Sequence, residues 1–122
     1  MSKDFQMCES SRECEHRRNE LIKHETQKTV SEWATKTFGY PKSPDVAIRR
    51  MLQECEELYI KLGEGCTHEQ YADEIADIII CGYQVMNTLG FDMNACIDHK
   101  MEINRARKWK LNNDGTGQHV KE

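Results

Sequence analysis

The chain has 122 residues, enough for a single domain with one compact core. With 17 Lys and Arg against 21 Asp and Glu, its net charge of −4 has the wrong sign for a general binder of nucleic acid polymers. No apolar run approaches the roughly 18–20 residues of a membrane span, and Met1–Ser11 is polar where a secretory signal would be apolar.

Residues 1–16 form a charged N-terminal segment. Ser10-Ser11-Arg12-Glu13 has capping-box form, so a short helix and a loose chain are both open readings there. Cys14 and His16 lack two further ligands at zinc spacing. None of the six cysteines forms a CxxC pair, and Cys55 and Cys81 fall inside helical patterns. Reduced thiols in a cytoplasmic protein are the better reading.

Leu21, Ile22, Val30, Trp33, Ala34 and Phe38 predict a first packed helix ending at Gly39. Tyr40-Pro41-Lys42-Ser43-Pro44 is a break, with Ser43 suited to the N-cap and Pro44 to the first helical position. A second helix runs from about Pro44 to Leu62. Ile48, Met51, Leu52, Cys55, Leu58, Tyr59 and Leu62 form its apolar stripe, and Gly63 and Gly65 stop it. Thr67-His68-Glu69-Gln70 is a second capping box, opening a third helix that Gly90 ends. Asp92 caps a fourth helix reaching about Trp109. Asn112–Gly117 reads as loop, and nothing reads as a strand. Ile78-Ile79-Ile80 is β-prone but sits within a helical period. The expected fold is all-α: an antiparallel helical bundle over 17–110, then a polar tail over 111–122.

Four carboxylates break the pattern. Glu54 and Glu57 are three apart on the second helix; Glu74 and Asp77 are three apart on the third. Glu54 falls at the edge of the apolar stripe, and Glu74 falls among Tyr71, Ile75, Ile78 and Val85. A carboxylate on a core-facing stripe is costly unless something neutralises it. The short Gly63–Thr67 connection makes these helices antiparallel neighbours, so the two pairs face one another. All-oxygen ligands favour Mg²⁺ or Mn²⁺. A di-iron bundle is disfavoured, because no His occupies the ExxH slots. A solvated acidic face is the bland reading of any single ExxE, and Glu56, Glu64 and Glu69 belong there.

Lys100, Asn104, Arg107 and Lys108 share one side of the fourth helix, with Arg105 and Lys110 nearby. Carboxylate-held metals beside such cations suit a polyphosphate. A helix-dipole effect is the plainer alternative.

With these residues in place, the chain resembles the MazG-like, all-α nucleoside triphosphate pyrophosphatase family over about Val30 to Trp109. The resemblance rests on Glu54-Cys55-Glu56-Glu57-Leu58, Glu74-Ile75-Ala76-Asp77 and Lys100-Met101-Glu102-Ile103-Asn104-Arg105-Ala106-Arg107. It implies Mg²⁺- or Mn²⁺-dependent hydrolysis of a nucleoside or deoxynucleoside triphosphate to monophosphate and pyrophosphate, with two or three metals per site. Carried over by position, the resemblance implies Glu54, Glu57, Glu74 and Asp77 as the metal ligands, and Glu54 or Glu57 is the expected acceptor of the proton. Lys100 and Asn104 contact phosphate, helped by Arg107. Trp33, Phe38 and Tyr83 are candidates for a base pocket, against the plainer role of core packing. Gln53 departs from the family's EExxE pattern. The Asp114–His119 segment either closes over the site or is disordered. A purine deoxynucleotide such as dGTP is the expected substrate, and nucleotide-pool control the expected role. A non-catalytic helical interaction module and a pyrophosphohydrolase acting on a non-nucleotide substrate remain alternatives.

The third helix is apolar on nearly every side, with Ile80 pointing away from its main stripe. Such a helix must be covered all round, which predicts pairing with a second copy, a dimer at the least; the family resemblance implies a homodimer or homotetramer.

Overall fold

The computed structural model describes residues 24–121. The expected N-terminal segment 1–16, with its capping box and Cys14, and the expected core positions Leu21 and Ile22 lie outside them. The chain divides into two compact units at Gly90. Among the described residues, no helix is long and apolar enough to cross a membrane.

Among the described residues, the first unit holds three helices: α1 (Gln27–Phe38), α2 (Pro44–Glu64) and α3 (His68–Leu89). Each starts at a side chain that satisfies an orphan amide of the first turn. Thr26 and Thr29 form a reciprocal capping box on α1. Ser43 accepts from the Val46 amide on α2, with Pro44 just inside the helix. Thr67 and Gln70 form the capping box on α3, as their spacing predicts. α2 runs through Gly63 and ends at Gly65, where φ is 85° and the amide donates to the Lys61 carbonyl.

Both α1 and α2 pack against α3. The small core between them contains Val30 and Ala34 from α1, Ala47 from α2, and Cys81 and Val85 from α3. On α2, the line Ala47–Glu54–Leu58–Lys61 is buried or half-buried. Leu52, Tyr59 and Leu62, predicted on the packed stripe, are exposed instead. α3 also leaves Ile75 and Ile79 exposed.

The second unit begins with α4 (Met93–Ala106), capped by Asp92, whose carboxylate accepts from the Ala95 amide at 2.9 Å. The helix ends at Ala106 rather than near Trp109. Arg107 leaves the helical region with ψ of 159°, and the Trp109 indole N–H folds back to the Asn104 carbonyl at 2.9 Å. Two short strands follow, where none was expected: β1 (Trp109–Leu111) and β2 (Gly117–His119), paired antiparallel with Trp109 opposite His119. Their turn is held by Asp114, which accepts from the Thr116 amide at 3.0 Å and hydroxyl at 2.6 Å. Asn113 takes a left-handed φ of 67° there, a conformation Asn tolerates. The Asp114–His119 segment therefore forms this turn and its return strand.

Candidate metal and nucleotide site

Glu54, Glu57 and Glu74 each bring one carboxylate oxygen within 4.8 Å of the others. Glu54 is 7% exposed, the most buried charged group among the described residues, although its place in the sequence suggested only the edge of the stripe. The reason is the line that α2 turns toward α3, in which Glu54 lies seven residues after Ala47. Glu74 is half-buried and Glu57 exposed. At such separations, each pair of negative charges repels by on the order of 3 kcal/mol at an effective dielectric of about 20.

Two cations offset part of that repulsion. Arg50, one turn before Glu54, reaches its carboxylate at 2.5 Å. Lys61, near the end of α2, reaches Glu74 on α3 at 2.7 Å. These bonds raise the pKa of both cations, with the hydrogen bond to the partner the leading cause in each. The other oxygen of Glu74, Oε1, is buried and has no hydrogen-bond partner. A buried carboxylate oxygen without a donor is costly unless a cation reaches it. Three converging carboxylates with one unsatisfied buried oxygen fit a hard divalent ion.

Asp77, the fourth expected ligand, is exposed and stands outside the close trio. It nevertheless senses the cluster: burial of its carboxyl, then the charges of Glu54 and Glu74, push its pKa up from 3.8. Glu54 and Asp77 also line one cleft of about 700 Å³, within the range of small-molecule sites. Arg50, Ile80, Cys81 and Gln84 lie along it, and Trp33, Phe38 and Tyr40 form an aromatic lining. Trp33 and Phe38 meet edge to face, 5.4 Å between centroids. Ile80, predicted to point off the main stripe, thus lines this cleft.

Of the candidate base-pocket residues, Trp33 and Phe38 line the cleft and Tyr83 does not. Lys100, Asn104 and Arg107 belong to the second unit. Lys100 and Asn104 lie one turn apart on α4, and Arg107 is its C-cap. Tyr40, Arg50 and Lys61 were not anticipated from the sequence. The four-residue spacing of Arg50 and Glu54 was a readable sign of an ion pair. Tyr40 was hidden in a loop, and Lys61 carries no local signal for a partner thirteen residues on.

No family model matches the chain. Two curated relatives do, both named dATP/dGTP diphosphohydrolase. The one from Salmonella phage PMBT28 is 31% identical over 96 residues, 79% of this chain but only 31% of that protein's length. The one from Cyanophage S-2L is 30% identical over 98 residues, covering 79% of this chain and 86% of the relative. Among solved structures, the fold matches a Cyanophage S-2L MazG-like pyrophosphohydrolase bound to dGDP and three catalytic Mn²⁺ ions per active site. That match has a TM-score of 0.60 and 26% identity, covering 78% of this chain and 93% of the other. The order of helices, the carboxylate trio between α2 and α3 and the near-complete coverage of the cyanophage relative agree: this chain belongs to the MazG-like pyrophosphohydrolase family.

Proposed function

We propose that the protein hydrolyses a purine deoxynucleoside triphosphate, dATP or dGTP, to the monophosphate and pyrophosphate in a Mg²⁺- or Mn²⁺-dependent reaction. The observation that carries this reading is the single cleft joining an aromatic lining, Trp33, Phe38 and Tyr40, to the carboxylates Glu54 and Asp77. An aromatic surface offers a base something to stack on, and the carboxylates hold the cations that a triphosphate needs. The names and ligands of the relatives support the same substrate class.

Glu54, Glu57, Glu74 and Asp77 would hold two or three metal ions per site. Bound Mg²⁺ or Mn²⁺ supplies neutralisation of phosphate charge and lowers the pKa of the attacking water. Of the two candidate bases, Glu54 is buried and paired with Arg50, whereas Glu57 is exposed and in neither ion pair of the cluster, so Glu57 is the better able to accept the proton. Trp33 and Phe38 orient the base. The phosphate-binding role of Lys100, Asn104 and Arg107 rests on the family pattern in the sequence alone.

Pairing with a second copy, as a homodimer or homotetramer, would cover the exposed apolar residues of α2 and α3, Tyr59 and Leu62 foremost. A cytoplasmic location fits the free thiols of Cys55, Cys66, Cys81 and Cys96. Nucleotide-pool control is the matching role.

A panel of dATP, dGTP, dCTP, dTTP and GTP, each with Mn²⁺, tests the substrate class through pyrophosphate release. Purine deoxynucleotides should be turned over fastest. Equal rates across the panel would remove the purine assignment, and no pyrophosphate from any of them would remove the activity.

A further inference from the structure

We propose that Arg50 and Lys61 are internal counter-cations that occupy the metal-binding carboxylates until a divalent ion displaces them, and that the displaced Arg50 then binds the nucleotide's phosphates. This rests on the pyrophosphohydrolase reading above. Each of the two more buried carboxylates is held by one cation, Glu54 by Arg50 and Glu74 by Lys61. The carboxylates are shielded, with side chains 9% and 15% exposed, while Arg50 and Lys61 are 54% and 40% exposed. Each cation therefore reaches inward from a solvated stem and can swing out without opening the core. Their positions differ in one respect: Arg50 lines the nucleotide-sized cleft beside Glu54 and Asp77, and Lys61 does not. Displacement of Arg50 turns a carboxylate's partner into an available guanidinium, suited to phosphate by its forked donors. Metal binding thereby precedes and favours nucleotide binding.

Calorimetric titration with Mn²⁺ alone, on the wild type and on Arg50→Met, Lys61→Met and Arg49→Met, tests the competition. Removing either paired cation should tighten Mn²⁺ binding by about three- to tenfold, between the worth of an exposed ion pair and that of a buried hydrogen bond to a charged group. Arg49→Met, the same charge change at an exposed neighbour, should stay within about twofold because exposed charges are screened. A non-hydrolysable dGTP analogue, titrated at saturating Mn²⁺, should then bind Arg50→Met about tenfold more weakly and Lys61→Met as it binds wild type. Circular dichroism confirms that the variants fold; Arg50→Gln carries the same expectations should Arg50→Met not fold. Unchanged or weaker Mn²⁺ binding in both paired variants, or an equal gain in Arg49→Met, overturns the competition. Equal analogue binding by Arg50→Met overturns its second role. A wild type that binds no Mn²⁺ overturns instead the reading on which the inference rests.

Discussion

Lys61 on α2 donates to Glu74 Oε2 on α3 at 2.7 Å, while the same carboxylate's Oε1 is buried without a hydrogen-bond partner. The ion pair ties the end of α2 to the start of α3, consistent with their antiparallel packing across the short connection. It also leaves Glu74 half-satisfied, beside two more carboxylates within 4.8 Å. A group in that condition gains strongly from a second cation.

Glu74→Gln keeps the side chain's shape and removes its charge. Mn²⁺ affinity, read by calorimetry, should fall by on the order of 100-fold, at or beyond the upper end of what outer-shell changes cost a metal site. Helical circular dichroism should be retained, because the helix caps are untouched. Mn²⁺ binding at wild-type strength would remove Glu74 from the metal shell.

Asp77 gives the pH dependence. Burial of its carboxyl, then Glu54 and Glu74, raise its folded pKa above 3.8. Between these two values the folded chain holds more protons than the unfolded one. Metal-free stability therefore falls as pH rises through that window, and the full cost is present above it. Asp77→Asn removes the conflict: its metal-free melting temperature should exceed that of wild type at pH 7, the gain disappearing below about pH 3.8, where both states are protonated. The variant should also lose turnover while keeping its helical signal. A lower melting temperature at pH 7 would mean that the Asp77 charge is stabilising instead.

Trp33→Ala should raise KM for a purine deoxynucleotide by roughly 5- to 150-fold, since stacking on an aromatic is worth about 1–3 kcal/mol per base. Tyr83→Phe, outside the cleft lining, should leave KM within about twofold. Steady-state kinetics on the two variants separates them; equal effects would remove Trp33 from base recognition.

Three helix starts were legible because caps are local: Ser43, Thr67-Gln70 and Asp92 each satisfy amides within three residues, whereas the Thr26–Thr29 box that opens α1 lacks the usual Glu or Gln at its third helical position and gave no such sign. The acidic pairs were legible because three-residue spacing fixes a shared helix side. The end of α4 was not, because it depends on a Trp109 side chain returning to the Asn104 carbonyl. The strands were missed for a related reason. With three residues each, they have no room for an alternating pattern, and the Asp114–Thr116 turn holds them. The burial of Glu54 and the reach of Lys61 to Glu74 depend on how α2 meets α3, which periodicity within one helix does not encode.

Asp114→Ala tests that turn. The Thr116 hydroxyl and amide hold the Asp114 carboxyl below its ordinary pKa of 3.8. Its contribution is thus present above about pH 3.8 and lost as pH falls through the lowered value. Hydrogen exchange at Val120 and Asn112, whose amides close the hairpin, should quicken in the variant, with α3 amides unaffected. Unchanged exchange would show that the strands hold without the turn.

The most direct measurement is the product balance from dGTP with Mn²⁺, resolved by anion exchange. The expected result is dGMP and pyrophosphate in equal amounts, stopped by EDTA and restored by excess Mn²⁺. Release of dGDP and inorganic phosphate, or turnover that persists in EDTA, would contradict a carboxylate-held metal site that hydrolyses dGTP to dGMP and pyrophosphate.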